Sequence, residues 1–485
     1  MTFRSGGRFG RAALLASAAL LAGPALADDL REALVLAYNT NPTLQAARAA
    51  QRALDEGVPI ARAAGLPSLA GTATYTEFVK QSANSFTAPD RALDAQVNLS
   101  VPIFSGGAVK NSIRAAKIRV EAGQADLRGI ESGVFSQVVA AYMDVIQNQA
   151  IVGLNRKNVQ VLQVNAEAVR DRFEIGDLTR TDVAQSQARL ALARGATRTT
   201  EANLTASRER YIQLVGKPPV DLQPPPPLPG LPDSADAAVQ IALEHNPDLI
   251  AARERTKAAG FDTDVAGAGR LPKVGVFTGG AYSNYLGTLG GSSGAGVFTQ
   301  RQTTAQVGVR ASIPLFQGGL PAAQQRQAQA REGATMEQEI GVEREVIASV
   351  RSAYSSWRSA TEVILTNQTA VDAATLSLEG VRAENSVGNR TILDILNAEQ
   401  ELLNAQVQLV TAQRNAYVAG FNLLSAMGLA EAEDLGLEVG TPYDSEANYQ
   451  RVRGKFWDWD RDPDPKPVST RTVDTPTQDG SIPKQ

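Results

Sequence analysis

The chain has 485 residues, carries a formal net charge of -4 at pH 7 and contains no cysteine. The lack of cysteine excludes disulfide bonds and leaves no residue for a cysteine-linked lipid anchor. The mildly acidic balance argues against nucleic acid as a partner, because nucleic-acid-binding proteins carry basic patches.

Residues 1–27 have the three parts of a secretory signal peptide. These parts are a basic start with Arg4, Arg8 and Arg11, an apolar core at 12–21, and a small-residue cleavage site that ends at Ala27. The core is too short to span a bilayer, and no later stretch approaches the ~18 consecutive apolar residues of a membrane helix. We therefore expect an exported chain in which any membrane-spanning part is built from β-strands.

Most of the remaining sequence occurs twice. Asn41-Pro42 returns as Asn246-Pro247, and Val101-Pro-Ile-Phe-Ser-Gly-Gly107 returns as Ile313-Pro-Leu-Phe-Gln-Gly-Gly319. A period of ~200 residues indicates a duplicated half, because solenoid repeats are far shorter. The sequence thus predicts a first half at 28–215, a Pro-rich linker at 216–233, a second half at 234–430, and a partly disordered tail at 431–485.

Each half is predicted to contain two short helices, two strands, a very long helix and a second long helix, in that order. The strands are expected at about 66–79 and 91–104, and at about 271–285 and 303–316. Apolar and polar residues alternate along the second and fourth strands, which is typical of a membrane barrel with a wet interior, although two hairpins of a soluble sheet show the same pattern. The polar or Gly-rich loops at one end of the strand pairs favour the barrel, since the other strand ends run directly into helices.

The long helices are predicted from two stretches without proline, at 103–217 and 322–441. Each stretch is interrupted once, by Gly176 and by Gly388. A glycine suits the left-handed residue that ends a helix, and the threonines that follow, Thr179 and Thr391, can cap the next helix. The helix that arrives at Gly176 would be ~100 Å long. Heptad spacing of apolar residues indicates that these helices pack side by side as a wall.

Four strands are too few to close a barrel, because about eight is the smallest number that does so. An open sheet edge in lipid would leave backbone groups without partners, so the barrel must be shared between subunits. Strand count alone does not decide between a dimer and a trimer. We expect a trimer, since twelve strands leave a lumen for cargo whereas eight would be filled by side chains.

On the duplicated Asn-Pro starts, the Pro-Ile/Leu-Phe-x-Gly-Gly strand exits and the two Gly-x-x-Thr tips, the chain resembles the TolC family of outer-membrane efflux proteins. The resemblance covers about residues 30–429. It implies a mixed fold, a membrane β-barrel continued by a long α-helical coiled-coil barrel, closed as a homotrimer in the outer membrane. It also implies passive conduction of drugs, small molecules or unfolded protein. An inner-membrane transporter and a periplasmic adaptor are the expected partners, with the adaptor docking at the tips near Gly176, Thr179, Gly388 and Thr391.

The resemblance places a gate at the inner end of the tunnel. Asp394 matches the first of two aspartates that form rings in the family, and the second falls on Asn397, so one charged ring is expected instead of two. Carboxylates that converge from several subunits disfavour one another's ionisation and attract cations. A solvated carboxylate on a helix surface is the plainer interpretation of Asp394.

The resemblance also implies polar links that lock the gate. Arg390 matches the locking arginine, and Thr181 and Asp182 match its partners on the other hairpin. The locking tyrosine of the family falls on Asn385, a departure that removes one link. A cation at the start of a helix is unfavourable, so Arg390 needs a partner such as Asp182.

No enzyme, cofactor or metal site is predicted. The Gly290–Gly294 stretch fits a nucleophile-elbow pattern but lies in a glycine-rich loop instead of a strand-to-helix turn. His245 is the only histidine, and no metal cluster or triad can be assembled around it. The alternative function is that of a structural periplasmic coiled-coil protein without a transport role, which would not need the alternating strand pairs.

Overall fold

The computed structural model describes residues 29–81, 88–290, 298–440 and 442–482. The predicted signal peptide at 1–27 lies outside the described residues, as does most of the Gly290–Gly294 stretch. Within the described ranges, no helix is both long and apolar enough to cross a membrane.

The two halves contain corresponding elements in the same order. The first half consists of α1 (Leu30–Thr40), α2 (Pro42–Asp55), α3 (Gly57–Ala63), β1 (Ser68–Glu77), β2 (Arg91–Phe104), α4 (Ala108–Glu174) and α5 (Arg180–Val215). The second half consists of α6 (Ala235–His245), α7 (Pro247–Gly267), a 3₁₀ turn (Ala268–Arg270), β3 (Lys273–Asn284), β4 (Arg301–Ser312), α8 (Leu320–Ser386) and α9 (Ile392–Met427). A short helix α10 (Ser445–Val452) follows in the tail.

The Asn-Pro pairs start α2 and α7 as their residue types require. The Asn41 side-chain oxygen accepts hydrogen bonds from the amides of Thr43 and Leu44, and proline occupies the first helical position, where its missing N–H costs nothing. The same asparagine donates its side-chain N–H to the Leu214 carbonyl at 3.0 Å, near the end of α5. Asn246 repeats both contacts and donates to Ala426 near the end of α9 at 2.9 Å. Each asparagine therefore ties the start of its half to the end of that half.

The four strands form one antiparallel sheet in the order β1-β2-β3-β4. The central pair, β2 and β3, joins the two halves, whereas β1 and β4 are the edges. β4 stops at Ser312, four residues before the expected end at 316. Ser312 pairs with Lys273, the first residue of β3, so β4 ends where its partner strand begins.

The main hydrophobic core lies among α1, α4, α5, α6 and α9, around Phe135, Tyr142, Tyr211 and Phe421. α4 and α8 are both 67 residues long, yet α4 contains twenty buried residues and α8 only three, namely Val346, Val350 and Leu378. The halves therefore correspond in element order but not in burial, because the chain covers more of α4 than of α8.

The linker and the tail run across the helices. The Tyr142 hydroxyl donates to the Gln223 carbonyl at 2.6 Å, and the equivalent Tyr354 hydroxyl donates to the Asp233 carbonyl at 2.7 Å, so the Pro-rich linker is bonded to both halves. The tail lies against α4 and α5, where Arg208 donates to the Asp479 carbonyl at 2.6 Å. Partial disorder of the tail remains a prediction.

Candidate functional site

The two hairpin tips have the same backbone geometry. Gly176 has φ +88° and Gly388 has φ +83°, both in the left-handed region. The amide of Asp177 donates to the Arg172 carbonyl at 2.9 Å, and the amide of Asn389 donates to the Glu384 carbonyl at 3.0 Å, which is the 6→1 bond of a Schellman motif. A Cβ atom at either glycine would meet nothing within 4 Å. Glycine is therefore required at the tips by backbone conformation and not by lack of space.

The helix that leaves each tip begins with a capping box. The Asp182 carboxylate accepts from the amide of Thr179 at 2.9 Å and from its hydroxyl at 2.7 Å, while the threonine oxygen accepts from the Asp182 amide at 3.3 Å. Thr391 and Asp394 repeat this arrangement with the same three distances. In each box the threonine hydroxyl, followed by the threonine amide, lowers the pKa of the aspartate. Both aspartates predicted at the gate and the lock thus stabilise helix starts, a role that the Thr-x-x-Asp spacing could have indicated.

An exposed ion pair closes each tip, but its arginine precedes the glycine in the first tip and follows the glycine in the second. Arg172 contacts Asp177 at 2.9 Å in the first tip, and Arg390 contacts Glu384 at 2.7 Å in the second. Asn385, at the position of the family's locking tyrosine, donates to the Arg390 carbonyl at 2.7 Å. Exposed pairs of this kind contribute at most about 1 kcal/mol.

The predicted lock does not form within one chain. Arg390 makes its ion pair with Glu384, and this contact raises the pKa of the arginine. No contact in the described part of the chain joins Arg390 to Asp182 or to Thr181, which lies exposed in the first turn of α5. A link between neighbouring subunits remains a prediction.

The two hairpins of the chain meet one to three turns away from the tips. Arg189 of α5 donates to the Asn397 side-chain oxygen at 2.9 Å, so the second predicted gate position is engaged by the other hairpin. Next to this Arg189–Asn397 contact, Leu162, Ala193 and Leu396 form a buried apolar cluster. We call these contacts, together with the Glu399 contacts described next, the hairpin seam.

Glu399 is a buried carboxylate in the seam that sequence reasoning missed. Its Oε1 atom accepts from Asn165 of α4 at 2.9 Å and from Arg382 of α8 at 3.0 Å, and the residue is 6% exposed. Its Oε2 atom is buried without a hydrogen-bond partner among the described residues. The available signal was a carboxylate between two heptad leucines, Leu396 and Leu403. Glu399 therefore connects three of the four long helices.

No cluster of three or more potential metal ligands occurs in the described ranges. His245 lies in the last turn of α6, where its Nδ1 atom is 3.1 Å from the Ile241 carbonyl. The geometry near the tips is that of a helical wall with polar contacts at its end.

Comparison with known proteins decides the family. The family model described as "Outer membrane efflux protein" matches residues 33–217 and 238–429, which are the two halves without the linker. The chain belongs to this family. It is 34% identical over 448 residues to the outer membrane efflux protein BepC of Brucella suis biovar 1, a match that covers 92% of this chain and 95% of the relative.

Two further likenesses agree with this assignment. The chain is 27% identical over 447 residues to the alkaline protease secretion protein AprF of Pseudomonas aeruginosa, covering 89% of this chain and 91% of the relative. The crystal structure of the outer membrane protein VceC from Vibrio cholerae has the same fold, with a TM-score of 0.70 at 22% identity over 82% of this chain and 96% of that one.

The predicted family, fold class, outer-membrane location and export function are thereby confirmed. This efflux family member is an exit duct of the outer membrane whose long helices extend into the periplasm. The family is one of channels and not a known enzyme family. The alternative of a structural coiled-coil protein without a transport role does not fit a family match across both halves.

Proposed function

We propose that this efflux protein works as a homotrimer, docked at its tips to a periplasmic adaptor and an inner-membrane transporter, and that Asp394 forms its gate. The observation that carries the trimer is the uncovered face of α8. Leu365 and Leu376 on this helix are 70% and 71% exposed in the single chain. Large apolar side chains exposed along one helix mark a surface that another molecule covers. A neighbouring subunit covers it in the proposed trimer.

The sheet supports the same assembly. Its two edges, β1 and β4, have unpaired backbone groups on their outer sides within the chain. In lipid such edges must be paired. Three copies pair every edge and make a twelve-stranded barrel with an open lumen.

The tips are suited to docking. Besides Gly176, Thr179, Gly388 and Thr391, each tip presents one large apolar side chain just before its glycine, Ile175 at 80% exposure and Val387 at 71%. These two residues occupy equivalent places in the repeat. We infer that an adaptor's helices bury them, since exposed apolar side chains on a fixed turn are favourable contact points.

The gate rests on Asp394 and Asn397 at the start of α9. In a trimer, three Asp394 carboxylates near one aperture would repel one another and attract cations. Arg390 and Asp182, with Thr181, would then link neighbouring hairpins in exchange for the Glu384 contact. Links of under ~1 kcal/mol suit a gate, because a docking partner can replace them.

The cargo class follows from the partner pump. BepC is named for efflux and AprF for protease secretion. Both small molecules and unfolded protein are therefore cargo classes to test.

The test combines assembly with transport. The detergent-solubilised protein should have the mass of three chains, and cells that lack their own exit duct should regain export when they produce it. Changing Gly176 and Gly388 to valine should abolish export while the trimer persists. A monomeric or dimeric mass would refute the assembly, and normal export by the double variant would refute docking at the tips.

A further inference from the structure

Arg48 of α2 is a buried cation with two unpaired side-chain nitrogens. The residue is 5% exposed. Its guanidinium lies between two aromatic rings, 4.2 Å from the centroid of Tyr38 and 4.9 Å from that of Tyr443. Its Nε and Nη2 atoms are buried and have no hydrogen-bond partner among the described residues.

The tyrosine rings stabilise the charge of Arg48 but do not satisfy its N–H groups. A guanidinium has five N–H donors and no acceptor, and aromatic faces interact with its charge without taking its hydrogen bonds in the usual geometry. Buried polar groups in proteins nearly always have a partner, and a buried unpaired one calls for an explanation. An acceptor with lone pairs is what this position lacks.

The nearby carboxylates do not supply that acceptor. Asp444 caps α10 by accepting from the amides of Glu446 and Ala447. Asp55 accepts from the side chains of Gln51 and Asn448.

Glu131 of α4 is the third carboxylate near Arg48, and it accepts from the Ala432 amide at 2.8 Å. Its charge and that of Arg48 attract each other across a distance beyond an ion pair, since no such pair is formed in the described residues. The acids around Arg48 are therefore held by other groups.

A cavity of about 370 Å³ lies beside Arg48, between α1, α2 and the start of α10. Its lining includes Arg48, Arg52, Tyr38 and Tyr443, together with Asp444, one oxygen of which caps α10. Arg52 is exposed and approaches the Tyr443 hydroxyl. Since one water takes up ~30 Å³ of liquid volume, the cavity has room for a small anion and several waters.

We propose that this cavity is a binding site for a small oxyanion, a carboxylate or phosphate group held by Arg48 and Arg52. Arg52 presents its forked donors from the exposed side of the cavity, and Arg48 adds a second guanidinium whose buried Nε and Nη2 atoms have to turn toward the cavity to donate to the bound anion. The site lies on the helical part of the chain, away from the tips and the strands. It joins α2 to the tail segment that carries Tyr443 and α10.

The experiment measures binding to the full-length protein in detergent by isothermal titration calorimetry at constant ionic strength. Inorganic phosphate is titrated in one arm and succinate in the other. We expect saturable binding of at least one probe, and the arm that responds identifies the chemistry. Arg52→Gln should weaken that binding at least tenfold, and Arg48→Gln should remove it.

Arg326→Gln is the matched control. Arg326 is an exposed arginine on α8, and its substitution removes the same charge far from the cavity. Arg52→Gln also guards against misfolding of the Arg48 variant, since Arg52 is exposed. The proposal is overturned if neither probe binds, if Arg52→Gln binds as the wild type does, or if Arg326→Gln weakens binding equally.

Discussion

At the scale of single residues, two opposing effects act on the pKa of Asp394 in the proposed gate. The capping box lowers the pKa of Asp394 through the Thr391 hydroxyl and amide, which keeps the carboxylate ionised. Convergence of three such carboxylates in the proposed aperture would act in the opposite direction. The capping contact would therefore help to keep the proposed ring of Asp394 carboxylates ionised at neutral pH.

Changing Asp394 to asparagine separates its contact at the start of α9 from the charge that it would give the proposed gate. The side-chain oxygen of asparagine at this N3 position can still accept from the Thr391 amide, so α9 should keep its start, whereas the aperture loses its charge. We expect the cation-to-anion permeability ratio of reconstituted channels to fall several-fold. Asp171→Asn, at an exposed position in the last turn of α4, removes the same charge from a residue outside the proposed gate and should leave the ratio unchanged. An unchanged ratio for Asp394→Asn would show that this carboxylate is only a helix cap.

Glu431 gives the chain a pH-dependent stability. Burial raises its pKa to about 7, although Arg128 at 3.6 Å opposes the change. The folded state then binds a proton that the unfolded state has released, so stability should fall as the pH rises from about 4.5 to about 7. Glu431→Gln should flatten the dependence of the melting temperature on pH in that window. Glu438→Gln, at an exposed position, should not, and equal flattening by both variants would contradict the assignment.

At the scale of helices and strands, much was predictable because it depends on local spacing. Heptad apolar residues, the absence of proline and two glycines predict α4, α5, α8 and α9 with their tips. The hairpin seam was not predictable in this way, since the Asn165–Glu399 contact depends on how one hairpin is rotated against the other. The partner of Arg390 was missed for a related reason: Glu384 comes within reach only after the tip has folded back.

Gly380 inside α8 and Gly388 just beyond its end allow a matched test of tip geometry. Gly380 and Gly388 both have open space for a Cβ atom, but only Gly388 has a positive φ. Gly388→Ala should destabilise the protein by about 1–2 kcal/mol, because a Cβ atom is unfavourable in the left-handed region. Gly380→Ala should stabilise the helix by about 0.5–1 kcal/mol. Chemical denaturation measures both, and the same sign for the two changes would refute the argument.

At the scale of the whole molecule, the difference in burial between α4 and α8 cannot be read from a repeat. The two helices have the same length and similar surroundings in the sequence, yet α8 is buried within the chain at far fewer positions than α4. Periodicity describes which face of a helix is apolar and not which molecule covers that face. The exposed face of α8 and the two open sheet edges show that surfaces of the single chain are left to be covered, and the trimer that would cover them remains a proposal.

Because the chain contains no cysteine, the labelling of a single introduced thiol can show whether a neighbouring subunit covers α8. Leu365→Cys introduces a single thiol at a position that is 70% exposed in the chain, and Ile175→Cys introduces one at a tip position that is 80% exposed. In the assembled protein, a maleimide should label the tip thiol at least tenfold faster than the α8 thiol. After dissociation into single chains, the two rates should converge. Equal rates in the assembled protein would exclude a subunit contact at α8.

The pairing of β2 with β3 has a consequence for biogenesis. These neighbours in the sheet are separated in the chain by α4, α5, α6 and α7. A two-stranded hairpin is marginally stable by itself, so β1 and β2 must wait for β3 before they gain a third strand. If the chain is exported from its amino terminus, the long helical hairpin of the first half can fold before any sheet exists. Insertion into the outer membrane then has to await β3 and β4, and therefore synthesis of nearly two thirds of the protein.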